Sequence, residues 1–188
     1  MARQSKDEIR ALSLTSRAVR AESAIALAGE AFAAHDWNQL CAGELVTCFV
    51  SMATEPPTAQ LRKHLGALGK SVALPIMNPG RTLAWGFDGL SLEKNSYGIF
   101  EPVSSDIDID SASSIIIPAL RVGLDGSRLG RGAGYYDRAL ETVVLHRNGG
   151  PRRIVLVFDD EVDESVPCEP HDAPIDVIVT PTRVIAIN

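Results

Sequence analysis

The eleven residues RLGRGAGYYDR at positions 128–138 combine the side chains and the spacing that an oxyanion site requires. Gly130, Gly132 and Gly134 alternate, so successive backbone amides, unobstructed by side chains, can point at one anion. A helix starting just after them adds its partial positive end. Arg128 and Arg131 flank the glycines and supply planar, permanently charged forks that match phosphate oxygens. Magnitudes rank these contributions. A helix terminus contributes about 0.3–1 kcal/mol and each charge-assisted hydrogen bond about 1.5–3 kcal/mol, whereas micromolar affinity needs about 8 kcal/mol. Arginines and amides therefore carry the binding, and the dipole supplements it. Asp137 falls in the first turn of the expected helix. There it suits the dipole, and a carboxylate beside phosphates can also hold a magnesium ion. Alternating glycines alone would equally suit a flexible turn; the flanking arginines and the Tyr135-Tyr136-Asp137 run point to a nucleotide phosphate. No GxxxxGK[ST] occurs, and the third glycine comes one residue too early for GxGxxG, which argues against Walker-type kinases and dehydrogenases.

Aiming these groups takes the order strand, turn, loop, helix. The apolar run IIIPALRVGL (115–124) predicts a buried strand ahead of the loop. A helix is expected over residues 136–147, with Ala139, Leu140, Val143 and Val144 on its inner face and Gly149 and Gly150 ending it. Residues 6–34 are rich in good helix formers. Thr15 is a candidate cap for a second helix whose inner stripe would include Val19, Ile25 and Leu27. LVTCFVSM (45–52) reads as a buried strand, Leu61, Leu65 and Leu68 as one face of a helix ended by Gly69, and residues 71–74 as a strand closed by Pro75. Residues 81–87, 154–158, 176–180 and 184–187 complete the strands. The acidic segment 104–114 is a solvated approach to the next strand. Strands alternating with helices predict an α/β fold, a three-layer sandwich with a mostly parallel central sheet and helices on both faces.

Bulk properties narrow the partners. The 188 residues fit one domain, residues 1–188, burying roughly 70% of the unfolded surface. A net charge of −6 excludes a general nucleic-acid binder, yet local arginines can still collect a small anion. Cys41, Cys48 and Cys168 are odd in number and lack CxxC spacing, which predicts incidental thiols of a reducing, cytoplasmic protein. The charged start predicts no secretory leader. No apolar run approaches the roughly 20 residues of a membrane span, so no membrane partner is expected.

The stretch PALRVGLDGSRLGRGAGYYDRAL (118–140) closely resembles the signature of the 5-formyltetrahydrofolate cyclo-ligases, also called methenyltetrahydrofolate synthetases. Further matches follow in family order: KDEIR near the start, EPPT at 55–58, GKSVALP at 69–75, YGIFEP at 97–102 and PHD at 170–172. The resemblance implies a NagB/RpiA/CoA-transferase-like fold and an enzyme that closes 5-formyltetrahydrofolate to 5,10-methenyltetrahydrofolate at the expense of ATP, with Mg2+ and a phosphorylated formyl intermediate. By the same resemblance Arg128, Leu129, Gly130, Arg131, Gly132, Ala133, Gly134, Tyr135 and Tyr136 surround the ATP phosphates, Arg131 acts on the transferring group, and Lys6 and Arg10 also contact ATP. Asp137 and Asp172 would be the magnesium ligands. Glu55 would hold the pterin, Val50 would line its pocket, and Tyr97 and Tyr135 would lie against the folate; Trp85 would form another wall of the site, or, as the residue alone suggests more strongly, pack in the core. His171 has either a structural or a functional role. Ala133 stands where relatives often carry Gly or Lys, and two prolines stiffen the turn after Glu55. A monomer or weak homodimer is expected. The alternatives are a folate- or nucleotide-binding relative without turnover, and a phosphosugar isomerase or acyl-CoA transferase of related fold, for which the YYD element has no use.

Overall fold

Runs that are apolar at every position must be buried on both faces of a sheet, and residues 115–117, 154–158 and 177–179 form the centre of one. The computed structural model describes residues 5–89, 91–169 and 172–187; His171 lies outside them. Its strands are β1 (Leu45–Thr47), β2 (Ser71–Asn78), β3 (Thr82–Phe87), β4 (Leu92–Lys94), β5 (Phe100–Pro102), β6 (Ser114–Pro118), β7 (Arg121–Gly123), β8 (Arg128–Leu129), β9 (Arg152–Leu156), β10 (Val162–Asp163), β11 (Val177–Val179) and β12 (Val184–Ala186). The helices are α1 (Lys6–Ala18), α2 (Glu22–Ala34), α3 (Trp37–Leu40), α4 (Ala59–Ala67) and α5 (Tyr135–Leu140). The main sheet runs β12-β11-β9-β6-β1-β2-β3, parallel from β11 to β2 with antiparallel β12 and β3 at its edges. A small sheet, β10-β7-β8, and a β4-β5 hairpin complete the fold.

The two-residue period of a strand distributes the central side chains between two cores. Ile116, Ile154, Leu156, Val177 and Val179 join Phe32, Trp37, Leu40, Leu61 and Leu65 of α2, α3 and α4 on one face. Ile115, Ile117, Val155 and Ile178 pack with Leu140 of α5 and Val122 of the small sheet on the other. That second layer is the thinner. Among the described residues no helix is long and apolar enough to cross a membrane.

Helix α1 begins with a reciprocal cap: Ser5 Oγ accepts the Glu8 N–H at 3.3 Å and the Glu8 carboxylate accepts the Ser5 N–H at 2.7 Å. Its far end is fixed by Arg17, which donates to both Glu161 oxygens at 2.7 Å and to the Ala119 carbonyl at 2.6 Å. α1 is thereby tied to the segments leaving β6 and β9, which sets the position of Lys6 and Arg10.

Several expectations are corrected. Thr15 caps nothing; its hydroxyl donates back to the Ala11 carbonyl within α1. Val19 and Leu27 are exposed at 81% and 64%: Val19 falls at the C-terminal cap of α1, and α2, apolar nearly all round, buries the stripe of Ala28, Gly29 and Phe32 instead. The strand expected over 115–124 is divided between two sheets. Pro118 offers no N–H to extend the ladder, and the next carbonyl, of Ala119, is taken by Arg17. β2 passes through Pro75, since β1 pairs with it only as far as Ala73 and a proline beside a single neighbouring strand is tolerated. The helix expected to reach residue 147 stops at Leu140. β-branched Thr142, Val143 and Val144 favour helix poorly, and the largely buried Arg153 caps the Leu140 and Val143 carbonyls.

Candidate active site

The carboxyl ends of β1, β2 and β6 leave a cleft of about 500 Å³, edged by Phe49 and Val50, by Met77, and by Pro118 and Ala119 respectively. Open parallel sheets collect ligands at that edge. β8 delivers the glycine–arginine loop to one side of the cleft, and α5 leaves from it. Gly132 and Gly134 have φ of 93° and 71°, left-handed conformations that only glycine adopts without strain. The helix that follows has six residues, so its dipole adds less than a full-length helix would.

Each cation of the loop side already has a protein partner. Buried Arg128 donates to Asp137. Arg131 Nε lies 3.0 Å from Glu55 Oε1. Lys6 Nζ lies 2.7 Å from Asp172 Oδ2. Arg10 donates to Asp7 at 2.6 Å and to the Gly130 carbonyl at 3.1 Å, reaching from α1 onto the loop. Glu55 is 7% exposed, and its second oxygen accepts the Met52 N–H at 2.9 Å. A tight turn following β1 thus points one carboxylate at the loop.

The opposite wall is apolar: Val50, Phe49, Met77, Leu83, Ile99 and Phe100. Tyr97 stands at its mouth, 66% exposed, on the β4-β5 turn. That turn is shaped by the Asn95 side chain, which accepts the N–H groups of Tyr97 and Ile99 at 2.9 and 3.1 Å. Tyr136 has a buried hydroxyl without a hydrogen-bond partner among the described residues. Burial, reinforced by Cys48 and Glu55 and opposed by Arg128, pushes its pKa well above the usual tyrosine range, so it remains a neutral donor.

Of the residues singled out from the sequence, Lys6, Arg10, Val50, Glu55, Tyr97, Asp172 and the whole of 128–137 line this cleft. Trp85 does not. It is 3% exposed and packs edge-on against Tyr136, ring centroids 6.2 Å apart, so it supports a wall instead of forming one. Sequence reasoning missed Phe49, Met77, Leu83, Ile99, Phe100 and Glu169. Phe100 lies inside YGIFEP and was within reach. Met77 and Leu83 become neighbours only through the β2-β3 register.

No group of three or more metal-ligating side chains stands together among the described residues. Magnesium needs less, since it keeps water and substrate phosphate oxygens and takes one or two carboxylates from protein. Asp137 accepts the Ala173 N–H at 3.3 Å, which brings it beside the segment that carries Asp172. This pair fits the protein's share of such a site. Cys41, Cys48 and Cys168 are free thiols.

Fold and site define an α/β protein whose cleft is charged along a glycine-rich loop and apolar on the facing wall. Residues 2–181 match the 5-formyltetrahydrofolate cyclo-ligase family, and the chain belongs to that family, a family of ligases in folate metabolism. It is 33% identical over 194 residues to the 5-formyltetrahydrofolate cyclo-ligase of Mycolicibacterium smegmatis, covering 97% of each chain. The mouse 5-formyltetrahydrofolate cyclo-ligase is 29% identical over 154 residues, with 76% of this chain and 75% of the relative covered. The solved structure of a 5,10-methenyltetrahydrofolate synthetase from Aquifex aeolicus superposes with a TM-score of 0.77 at 23% identity, over 97% of this chain and 92% of that one; this likeness establishes the fold.

Proposed function

We propose that this enzyme, with magnesium, converts 5-formyltetrahydrofolate and ATP into 5,10-methenyltetrahydrofolate, ADP and phosphate. One contact supports the reading above all: Arg131 of the phosphate-type loop meets Glu55, the carboxylate of the facing wall, at 3.0 Å. A phosphate held by the first and a pterin amino-pyrimidine edge held by the second would therefore touch.

The γ-phosphoryl group passes to the formyl oxygen as its bond to ADP breaks. A neighbouring folate nitrogen then attacks the activated carbon, the carbon–oxygen bond breaks, and phosphate leaves as the ring closes, the nitrogen's proton passing to solvent. Little covalent help is needed from protein; positioning and charge neutralisation supply the rate. Lys6, Arg10, Arg128, Arg131 and the loop amides hold the phosphates, with Arg131 on the transferring group. Asp137 and Asp172 would hold magnesium, which would neutralise charge on the phosphoryl group. Tyr97, Tyr135 and the apolar wall position the folate, whose ring displaces water from Phe49 and Met77.

Arg131 and Glu55 satisfy each other across the cleft, so each would exchange one partner for a ligand. The test is to mix the protein with 5-formyltetrahydrofolate, ATP and magnesium and follow the near-ultraviolet absorbance of the methenyl product. An ATP-dependent rise is expected. No rise sinks the proposal, and binding of both ligands without turnover would make the chain a ligand-binding relative.

A further inference from the structure

The geometry points to a second subsite: a cavity of about 330 Å³ that continues the cleft past Tyr97 and Tyr135 takes the carboxylate-bearing tail of the folate, with Arg81 as its ion-pair partner. This rests on the reaction proposed above, which puts a folate in the cleft.

The two cavities share Met77, Tyr97 and Tyr135. Lys6, Glu55 and Asp172 line only the first; Arg81 and Ser96 line only the second. A ligand with its pterin at Glu55 and its far end past the two tyrosines would enter the smaller cavity away from the phosphate loop. No acidic residue lines that cavity, in a protein of net charge −6. The contrast with the cleft arginines is direct. Arg10, Arg128 and Arg131 each hold a carboxylate, whereas the Arg81 guanidinium has no hydrogen bond or ion pair to any described residue. Its backbone is also singular: φ is 61°, the left-handed value no other described non-glycine residue adopts, at the β2-β3 turn. Its carbonyl accepts from Arg138 Nε at 3.0 Å, one turn along α5 from Tyr135. The turn that presents Arg81 is therefore pinned to the helix that carries Tyr135. A strained position occupied by a long cation, where glycine or asparagine would sit more easily, has a reason if the guanidinium meets an anion.

Isothermal titration without ATP tests the assignment, comparing 5-formyltetrahydrofolate with its analogue that lacks the glutamyl residue. Arg81→Asn suits the backbone and removes the charge. It should weaken the full ligand about fivefold, as for a partly exposed ion pair, and leave the tail-less analogue and ATP unchanged. Arg81→Lys should recover part of the loss. Ser96→Glu, which puts a carboxylate into the cavity from another loop, should weaken the full ligand selectively even if Arg81→Asn folds poorly. Equal effects on both folates, or none on either, overturn the subsite while leaving the proposed reaction standing. Failure of the wild-type protein to bind either folate removes the proposed reaction and the subsite with it.

Discussion

Two sets of ion pairs of nearly the same length, one at the C-terminal end of α1 and one in the cleft that its N-terminal end borders, do different work. Arg17 and Glu161 are 2.7 Å apart with side chains 1% and 3% exposed. Lys6 and Asp172 are also 2.7 Å apart, but 19% and 14% exposed, and Arg131 and Glu55 at 3.0 Å are 35% and 8% exposed. Burial decides what such a pair can do. In the first, both Glu161 oxygens and two guanidinium nitrogens are committed, and Glu161 also accepts the Phe158 N–H at 2.9 Å. Nothing can enter to replace either partner. In the cleft, under the proposed reaction, a phosphate would take the cation while a pterin or a metal ion would take the carboxylate. One set is structural, and the other is open enough to exchange partners.

Glu161→Ala should give the largest effect. It strands the Arg17 guanidinium inside the protein, at a cost of about 3–5 kcal/mol, against a total stability of about 5–15 kcal/mol. Urea unfolding should show the midpoint falling steeply. A loss no larger than that of Asp172→Ala would break the distinction by burial.

Arg131→Ala should cost clearly less stability than Glu161→Ala, since Arg131 is 35% exposed and Glu55 keeps the Met52 N–H, and should act on ligands with opposite signs for the two. ATP use, as kcat/KM, should fall ten- to a hundredfold, the loss of about 1.5–3 kcal/mol from a charge-assisted contact. Binding of 5-formyltetrahydrofolate alone should hold or tighten about two- to fivefold, because Glu55 no longer has to release an exposed arginine worth up to about 1 kcal/mol. A loss of folate affinity equal to the loss of ATP affinity would show that Arg131 contacts both ligands directly. Asp137→Asn should come next. It keeps an acceptor for Arg128 but removes a charged oxygen, so half-saturating magnesium should rise about tenfold. An unchanged magnesium dependence removes Asp137 from the metal shell.

The same contrast separates what was legible in the sequence from what was not. The apolar runs at 115–117, 154–158 and 177–179 announced strands buried on both faces, and the glycine–arginine spacing at 128–138 announced the loop, because both depend on residues close in sequence. The position of α1 depends on Arg17 reaching Glu161, 144 residues away, and an arginine amid polar helix residues carries no mark of burial. The end of α5 depends on Arg153 reaching back to the Leu140 and Val143 carbonyls, so a helical pattern that ran on through Val144 misled. Trp85 read as a loosely matched pocket wall, with core packing the better expectation. Only the stacking of β3 behind α5 separates the two.

The smallest effect tests whether the loop matters beyond its charges. Gly132 and Gly149 share φ of 93°, so alanine at either pays the same left-handed strain, about 1 kcal/mol. Their surroundings differ. A Cβ at Gly149 meets nothing within 4 Å, whereas one at Gly132 comes within 3.3 Å of Arg10 Cζ and 3.4 Å of its Nε, the nitrogen that donates to the Gly130 carbonyl. Gly132→Ala and Gly149→Ala should therefore lower the thermal midpoint by similar amounts. Only Gly132→Ala should also raise the KM for ATP, about three- to fivefold, by displacing a guanidinium whose partly exposed contacts are worth up to about 1 kcal/mol. If the two variants behave alike with ATP, Arg10 does not close over the loop, and the exchangeable set of cleft contacts shrinks to Lys6 and Arg131.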